Sequence, residues 1–230
     1  MTVIAPAKLT VSLRVTGRRP DGYHELDAEM VTIDLADRLT FSEGDGLDVV
    51  GGAAPADDTN LVRRALAAVG RTARVRLEKR IPIEAGLGGG SADAAAVLRW
   101  AGCIDLRVAA ALGADVPFCV GGGRARVRGI GEIVEPLPFE ERVFTLLTPP
   151  FGCSTAAVYA AWDALGRPTA DGVNDLEPAA LSVAPELAHW RDRLGDASGE
   201  TPSLAGSGST WWVPGEHPGA DRVVVRTVRL

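Results

Sequence analysis

Ile81-Pro-Ile-Glu-Ala-Gly-Leu-Gly-Gly-Gly-Ser-Ala-Asp-Ala-Ala-Ala-Val-Leu-Arg99 is the stretch on which the fold of this chain turns. Four glycines fall within the five residues Gly86 to Gly90, and the run Ala92 to Arg99 behind them has strong helix propensity. A glycine-rich loop therefore feeds a helix. Phosphate is bound by backbone N–H groups that must approach closely, which a Cβ obstructs, and it gains further from the positive end of a helix dipole. Two familiar phosphate loops fail the comparison. A Walker A loop ends in Gly-Lys-Ser/Thr and this one has no lysine, while a G-x-G-x-x-G fingerprint would place its third glycine on Ser91. A glycine run alone more often means a flexible turn; the helix that follows tips the reading toward phosphate.

Upstream, Leu9 to Val15 alternates apolar and polar residues, the period of a strand with one buried face. It ends at Gly17-Arg-Arg-Pro-Asp-Gly22, a run of turn formers. Met30 to Leu35, Leu39 to Phe41 and Leu47 to Val50 are predicted as further short strands separated by turns. Thr59-Asn60 is a cap for a helix through Leu61, Ala65, Leu66 and Val69 that stops at Gly70, and Arg74 to Leu77 alternates again. Downstream, Leu106 to Leu112 reads as a short helix closed by Gly113-Ala-Asp-Val-Pro117, and Arg124 to Val134 as two strand-like runs. Beyond Pro138 come a strand at Val143 to Leu147, a helix at Thr155 to Leu165 and a helical stretch from Leu176 to Leu194. A second small-residue loop, Leu204-Ala-Gly-Ser-Gly-Ser209, precedes a last strand within Arg222 to Leu230. Strands mixed irregularly with helices predict an α+β protein. The expected units are residues 1–138 and 139–230.

The 230 residues amount to about 1.5 typical domains, and 46% hydrophobic with 23% charged residues is the balance of a chain that buries a core. A net charge of −6 argues against nucleic acid and anionic membrane as partners. Cys103, Cys119 and Cys153 are odd in number and fit neither a disulfide framework nor a CxxC metal pair, so they are expected to be reduced. No leader pattern and no run of about 18 apolar residues is present, and a cytoplasmic protein is expected. His189 and His217 stand apart, so no metal site is predicted. Only Lys8 and Lys79 are lysine among 24 basic residues. In an arginine-rich chain a lysine is the unusual choice.

Lys8 sits at Ala5-Pro-Ala-Lys8 among apolar neighbours, where a compact ammonium serves and a planar guanidinium would not fit; a solvated strand-end charge is the competing meaning. Asp115 has an apolar setting between Gly113-Ala and Val116-Pro-Phe, and by spacing alone a helix N-cap is its commonest job. Tyr23-His24 follows the Pro-Asp-Gly turn and is either a holder of a planar ligand or a surface turn. Gly206-Ser-Gly-Ser209 reads equally as a phosphate loop or a tight turn.

Taken in order, Pro6-Ala-Lys8-Leu, Gly17-Arg-Arg-Pro-Asp-Gly-Tyr23-His24-Glu, Asn60-Leu, Lys79-Arg-Ile-Pro, Gly86-Leu-Gly-Gly-Gly-Ser91-Ala-Asp93, Gly113-Ala-Asp115-Val-Pro-Phe, Gly129-Ile-Gly-Glu132 and Leu204-Ala-Gly-Ser-Gly-Ser209 resemble the GHMP kinase superfamily. Within it they resemble the 4-diphosphocytidyl-2-C-methyl-D-erythritol kinase family. The match runs from about Ala5 to the C-terminus, and Asp-Gly-Tyr-His is its most specific element. The resemblance implies a GHMP kinase fold, with an N-terminal domain like the second domain of ribosomal protein S5 and a ferredoxin-like C-terminal domain. It implies ATP with Mg²⁺ over Gly86, Leu87, Gly88, Gly89, Gly90 and Ser91, with Asn60 and Lys79 near the adenine. Lys8 and Asp115 are implied as the catalytic pair, and Thr10, Tyr23, His24, Thr155 and Tyr159 as contacts to a small cytidyl diphosphate substrate, in a monomer or homodimer. Thr10 departs from the family's usual Asn, and the segments between Leu98 and Leu112 and after Val213 are short for it. Two other readings stay open: a GHMP kinase for another small alcohol such as homoserine or a mevalonate derivative, and a non-catalytic nucleotide-binding relative.

Overall fold

The computed structural model describes residues 1–52 and 54–230. Two sheets organise them. Six strands, β1 (Thr2–Arg18), β2 (His24–Ser42), β3 (Gly46–Val50), β4 (Arg74–Glu78), β5 (Arg124–Gly129) and β6 (Ile133–Pro136), form the first sheet. β2 is its spine. It pairs antiparallel with β1 from Thr2↔Thr40 to Arg18↔His24, and pairs β4 with its C-terminal half and β5 with its N-terminal half. β3 joins β4 in parallel through a crossover that contains α1 (Leu61–Ala68). Four strands, β7 (Val143–Leu147), β8 (Ser203–Leu204), β9 (Trp211–Pro214) and β10 (Val223–Arg226), form an antiparallel sheet in the order β10-β7-β9-β8.

Met30 to Phe41 is one strand where short strands and turns are expected. Asp37, the residue that reads as a turn former, is instead fully buried within β2. Its carboxylate accepts the N–H groups of Arg80 at 2.5 Å and Ile81 at 2.8 Å and the Lys79 ammonium, so the strand continues through it. Two further elements escape the sequence pattern. α4 (Val116–Gly121) follows Asp115, and β9 carries Trp211-Trp212-Val213 with no alternation, because all three residues are buried. The helical stretch from Leu176 breaks at Ala184-Pro185-Glu186 into α6 (Glu177–Val183) and α7 (Leu187–Ser198).

The first sheet is covered by α2 (Gly89–Trp100) and α4, with α1 and α3 (Leu106–Leu112) packed on those helices. Ala92, Ala94, Ala95, Ala96, Val97 and Leu98 of α2 are all buried. A helix buried nearly all round must be built of small side chains if its neighbours are to approach. Asn60 caps α1 as its residue type predicts, its Oδ1 accepting the Val62 N–H at 2.8 Å. In the second sheet α5 (Thr155–Ala164), α6 and α7 fill the connection from β7 to β8. A βαββαβ plan has a second helix between its last two strands; here Gly215 to Arg222 is a loop, as the short segment after Val213 requires. Among the described residues no helix is long and apolar enough to cross a membrane, and the three cysteines are unpaired, Cys119 and Cys153 buried and Cys103 partly so.

Lys79, at the end of β4, joins the sheet to α2. Its ammonium donates to Asp37 and, at 2.8 Å, to Asp93. Burial by itself would push the ammonium down, but the two carboxylates outweigh it and hold Lys79 above the usual lysine value. Burial pushes Asp93 up to about 7 against the pull of Lys79, and the nearby Asp37 charge adds to the rise. Removing the ammonium by Lys79→Met leaves two uncompensated carboxylates in the core and is expected to cost about 3–5 kcal/mol of stability. Asp93→Asn keeps the Lys79–Asp37 pair and is expected to cost far less; urea denaturation of the two variants beside the parent chain checks this ordering.

Candidate active site

A cavity of about 1170 Å³ opens between the two sheets, and its wall includes the glycine loop, Lys8, Asp115, His24, Tyr159, Gly206 and Ser207. The loop reaches it because its glycines lack side chains where they matter. Gly88 has φ of 68° and starts α2, and a Cβ there would lie 2.8 Å from Lys8 Cγ. Gly86 has φ of 75°, and its Cβ would stand 2.0 Å from the Ala205 carbonyl oxygen. The two small-residue loops therefore touch backbone to backbone. Gly89, Gly90 and Ser91 line the cavity at the first turn of α2. Leu87 turns its side chain into the core, and its carbonyl accepts the Lys8 N–H at 3.1 Å.

Lys8 is 5% exposed, which removes the solvated strand-end meaning. Its Nζ donates to Thr10 Oγ1 at 3.0 Å and lies 3.5 Å from Asp115 Oδ2. Asp115 occupies the N-cap position of α4, yet its side chain makes no capping hydrogen bond. The carboxylate is left facing the ammonium. Thr10 is 2% exposed, with its hydroxyl turned to Lys8.

At the other end of the cavity the His24 ring stacks on Tyr159 with centroids 4.8 Å apart and meets Trp162 edge-on at 5.6 Å. His24 Nε2 lies 3.1 Å from Asp163 Oδ2, and the Arg18 guanidinium reaches the same oxygen at 3.4 Å. Burial raises the Asp163 carboxyl, but the hydrogen bonds from His24 and Arg167 and the Arg18 charge outweigh it and hold it below the usual range. An ionised carboxylate only accepts, so Nε2 carries the hydrogen. Burial raises the Tyr159 phenol, which stays neutral. Tyr23 is 61% exposed at the cavity mouth, and Thr155 Oγ1 shares a 2.8 Å hydrogen bond with Ser207 Oγ.

Asn60 and Lys79 line the same cavity, but both side chains are engaged in the fold. Asn60 caps α1 and donates from Nδ2 to the Pro55 carbonyl at 2.6 Å; Lys79 is held by its two carboxylates. Sequence reasoning missed Asp163 and Trp162; Arg18 and Ser207 lie in segments it singled out but gave no role of their own. For Asp163 a signal existed: it follows Tyr159 by four and Thr155 by eight residues, which places all three along one face of α5.

Residues 60–123 match the model of the GHMP kinases N terminal domain. With the loop, the two sheets and the cavity between them, this defines the class as GHMP kinase. The chain is 42% identical over 234 residues to the 4-diphosphocytidyl-2-C-methyl-D-erythritol kinase of Paracoccus denitrificans, covering 90% of this chain and 84% of that protein. To the one from Carboxydothermus hydrogenoformans it is 38% identical over 248 residues, covering 91% and 86%. The crystal structure of a 4-(cytidine 5'-diphospho)-2C-methyl-D-erythritol kinase superposes with a TM-score of 0.79 at 34% identity, covering 98% of each chain. The chain belongs to the 4-diphosphocytidyl-2-C-methyl-D-erythritol kinase family.

Gly88→Ala is expected to displace the Lys8 stem and to lower kcat far more than it lowers melting temperature, measured by steady-state kinetics beside a thermal melt. Asp163→Asn frees His24 to change tautomer and is expected to raise the KM of the acceptor several-fold while leaving that of ATP unchanged; initial rates with each substrate varied in turn decide it.

Proposed function

We propose that this protein transfers the γ-phosphoryl group of ATP to the 2-hydroxyl of 4-diphosphocytidyl-2-C-methyl-D-erythritol, a step of non-mevalonate isoprenoid precursor synthesis. The observation that carries the reading is the Lys8–Asp115 pair, 3.5 Å apart, between a glycine loop at a helix N-terminus and an aromatic pocket that ends in a carboxylate-held histidine.

The acceptor is a tertiary alcohol, a weak nucleophile that needs its proton taken as the new P–O bond forms. Asp115, free of any capping bond, accepts that proton as general base. Lys8, 3.5 Å from Asp115, orients that carboxylate and offsets charge growing on the attacking oxygen. Backbone N–H groups of Gly88 to Ser91 and the α2 dipole hold the triphosphate, with the adenine toward Asn60 and Lys79. The cytosine ring lies by His24, Tyr159 and Tyr23, with Thr155 and Thr10 completing the acceptor pocket. Catalysis is then positioning and electrostatics, as phosphoryl transfer requires.

Mg²⁺ fits this arrangement as a passenger on the triphosphate. Among the described residues no group of three His, Cys, Asp or Glu side chains is placed to cage a metal, and Mg²⁺ commonly keeps waters and phosphate oxygens as ligands. The Ser91 hydroxyl, at the first turn of α2 on the cavity wall, is the side-chain oxygen suited to reach it. When bound, the ion offsets phosphate charge.

ADP release measured with the cytidyl compound, homoserine and mevalonate side by side tests the reading. Turnover with the cytidyl compound alone is expected; turnover with another alcohol, or with none, overturns it. In the same assay Asp115→Asn is expected to lower kcat by roughly 10²–10⁴-fold, with ATP binding retained.

A further inference from the structure

Asn174 is 2% exposed and lies outside every motif that marks the site. Its Nδ2 donates to two carbonyls of the second small-residue loop, Leu204 at 2.9 Å and Gly206 at 2.7 Å, and its Oδ1 accepts the Leu176 N–H at 2.9 Å. Both amide hydrogens and the amide oxygen are therefore used. The backbone on either side of Asn174 is sewn to β1: the Leu13 N–H donates to Val173 at 2.8 Å, and the Asp175 N–H donates to Leu13 at 3.0 Å. The Asp175 carboxylate adds the Val15 N–H at 3.0 Å and Arg14 at 2.7 Å. β1 is the strand that carries Lys8 and Thr10. One side chain thus references the second loop to the strand that bears Lys8.

What Asn174 fixes is the direction of a peptide. Across a trans peptide the carbonyl and the following N–H point to opposite sides. In the first pair this is visible: Leu204 gives its carbonyl to Asn174, and the Ala205 N–H turns away to donate to Thr210 at 2.9 Å. In the second pair Gly206 gives its carbonyl to Asn174, and the Ser207 N–H turned away from it has no partner among the described residues. Gly206 and Ser207 line the cavity, and a Cβ on Gly206 would come within 3.2 Å of Lys8 Nζ. A free N–H beside an ammonium suits an anionic oxygen.

We infer that Asn174 is a positioning residue, which aims the Ser207 N–H at an oxygen of the phosphate-bearing substrate beside Lys8. The substrate class rests on the proposed function; the orientation of the loop does not. Asn174→Asp keeps the shape and the acceptor for Leu176 but has no hydrogen for either carbonyl. Amide exchange read by mass spectrometry is expected to rise at least ~10-fold over residues 204–209 and to stay unchanged in β1. With the cytidyl acceptor kcat is expected to fall by about 10²-fold while the KM of ATP holds. Loop exchange and kcat within twofold of the parent chain would overturn the inference. So would loosening of β1 together with lost ATP affinity, which would mark Asn174 as a fold residue only. Should the aspartate variant melt, Asn174→Ser, which still accepts from Leu176 but donates at most once, carries the same comparison. A parent chain inactive on the cytidyl compound overturns the proposed function instead, and the exchange measurement then decides Asn174 by itself.

Discussion

A single buried ammonium ties together the parts of this protein that have to stay in register. Lys79 lies between Asp37 of β2 and Asp93 of α2, and the same Asp37 carboxylate receives the N–H groups of Arg80 and Ile81, where the chain turns toward the glycine loop. The start of the loop, the spine of the sheet and the helix behind the loop are thereby one unit. Such a cluster is costly to bury and more costly to break. Asp93 Oδ1 has no partner in it, and burial, with the nearby Asp37 charge adding to it, lifts Asp93 to about 7 against the pull of Lys79.

On that base the loop is brought to Lys8 by close contact. Gly86 meets the Ala205 carbonyl, Gly88 meets the Lys8 stem, and Leu87 gives its carbonyl to the Lys8 N–H. The second sheet contributes the other wall. Val173 and Asp175 fasten its chain to β1, and α5 presents Thr155 to Ser207 and Tyr159 and Asp163 to His24. The cavity lies where the two sheets meet, so each supplies groups that the other has no means to place.

Much of the fold was legible in the residues. The alternation from Leu9, the Asn60 cap, the α3 span and the β7 span correspond to the elements found. The misreadings share one cause. Asp37 reads as a turn former because aspartate is depleted in strands, and only a partner 42 residues away makes it a strand residue. Trp211 to Val213 show no alternation because both faces of β9 are covered. In the site, the loop and the two lysines stood out by composition, whereas Asp163 and Asn174 matter through bonds to residues 139 and about 30 positions distant.

The sequence by itself determined the local chemistry: a glycine loop before a helix, a lysine among arginines at the first strand, an Asp-Gly-Tyr-His turn, and a family resemblance that joins them. These are short-range features, written in residue type and spacing. Tertiary structure alone decided what each ionisable group does. It turned Lys79 into the centre of a buried cluster, freed Asp115 from capping to face Lys8, and gave His24 its carboxylate. Charge, solvation and hydrogen bonding are set by neighbours in space, and those neighbours come from the meeting of two sheets that no local spacing encodes.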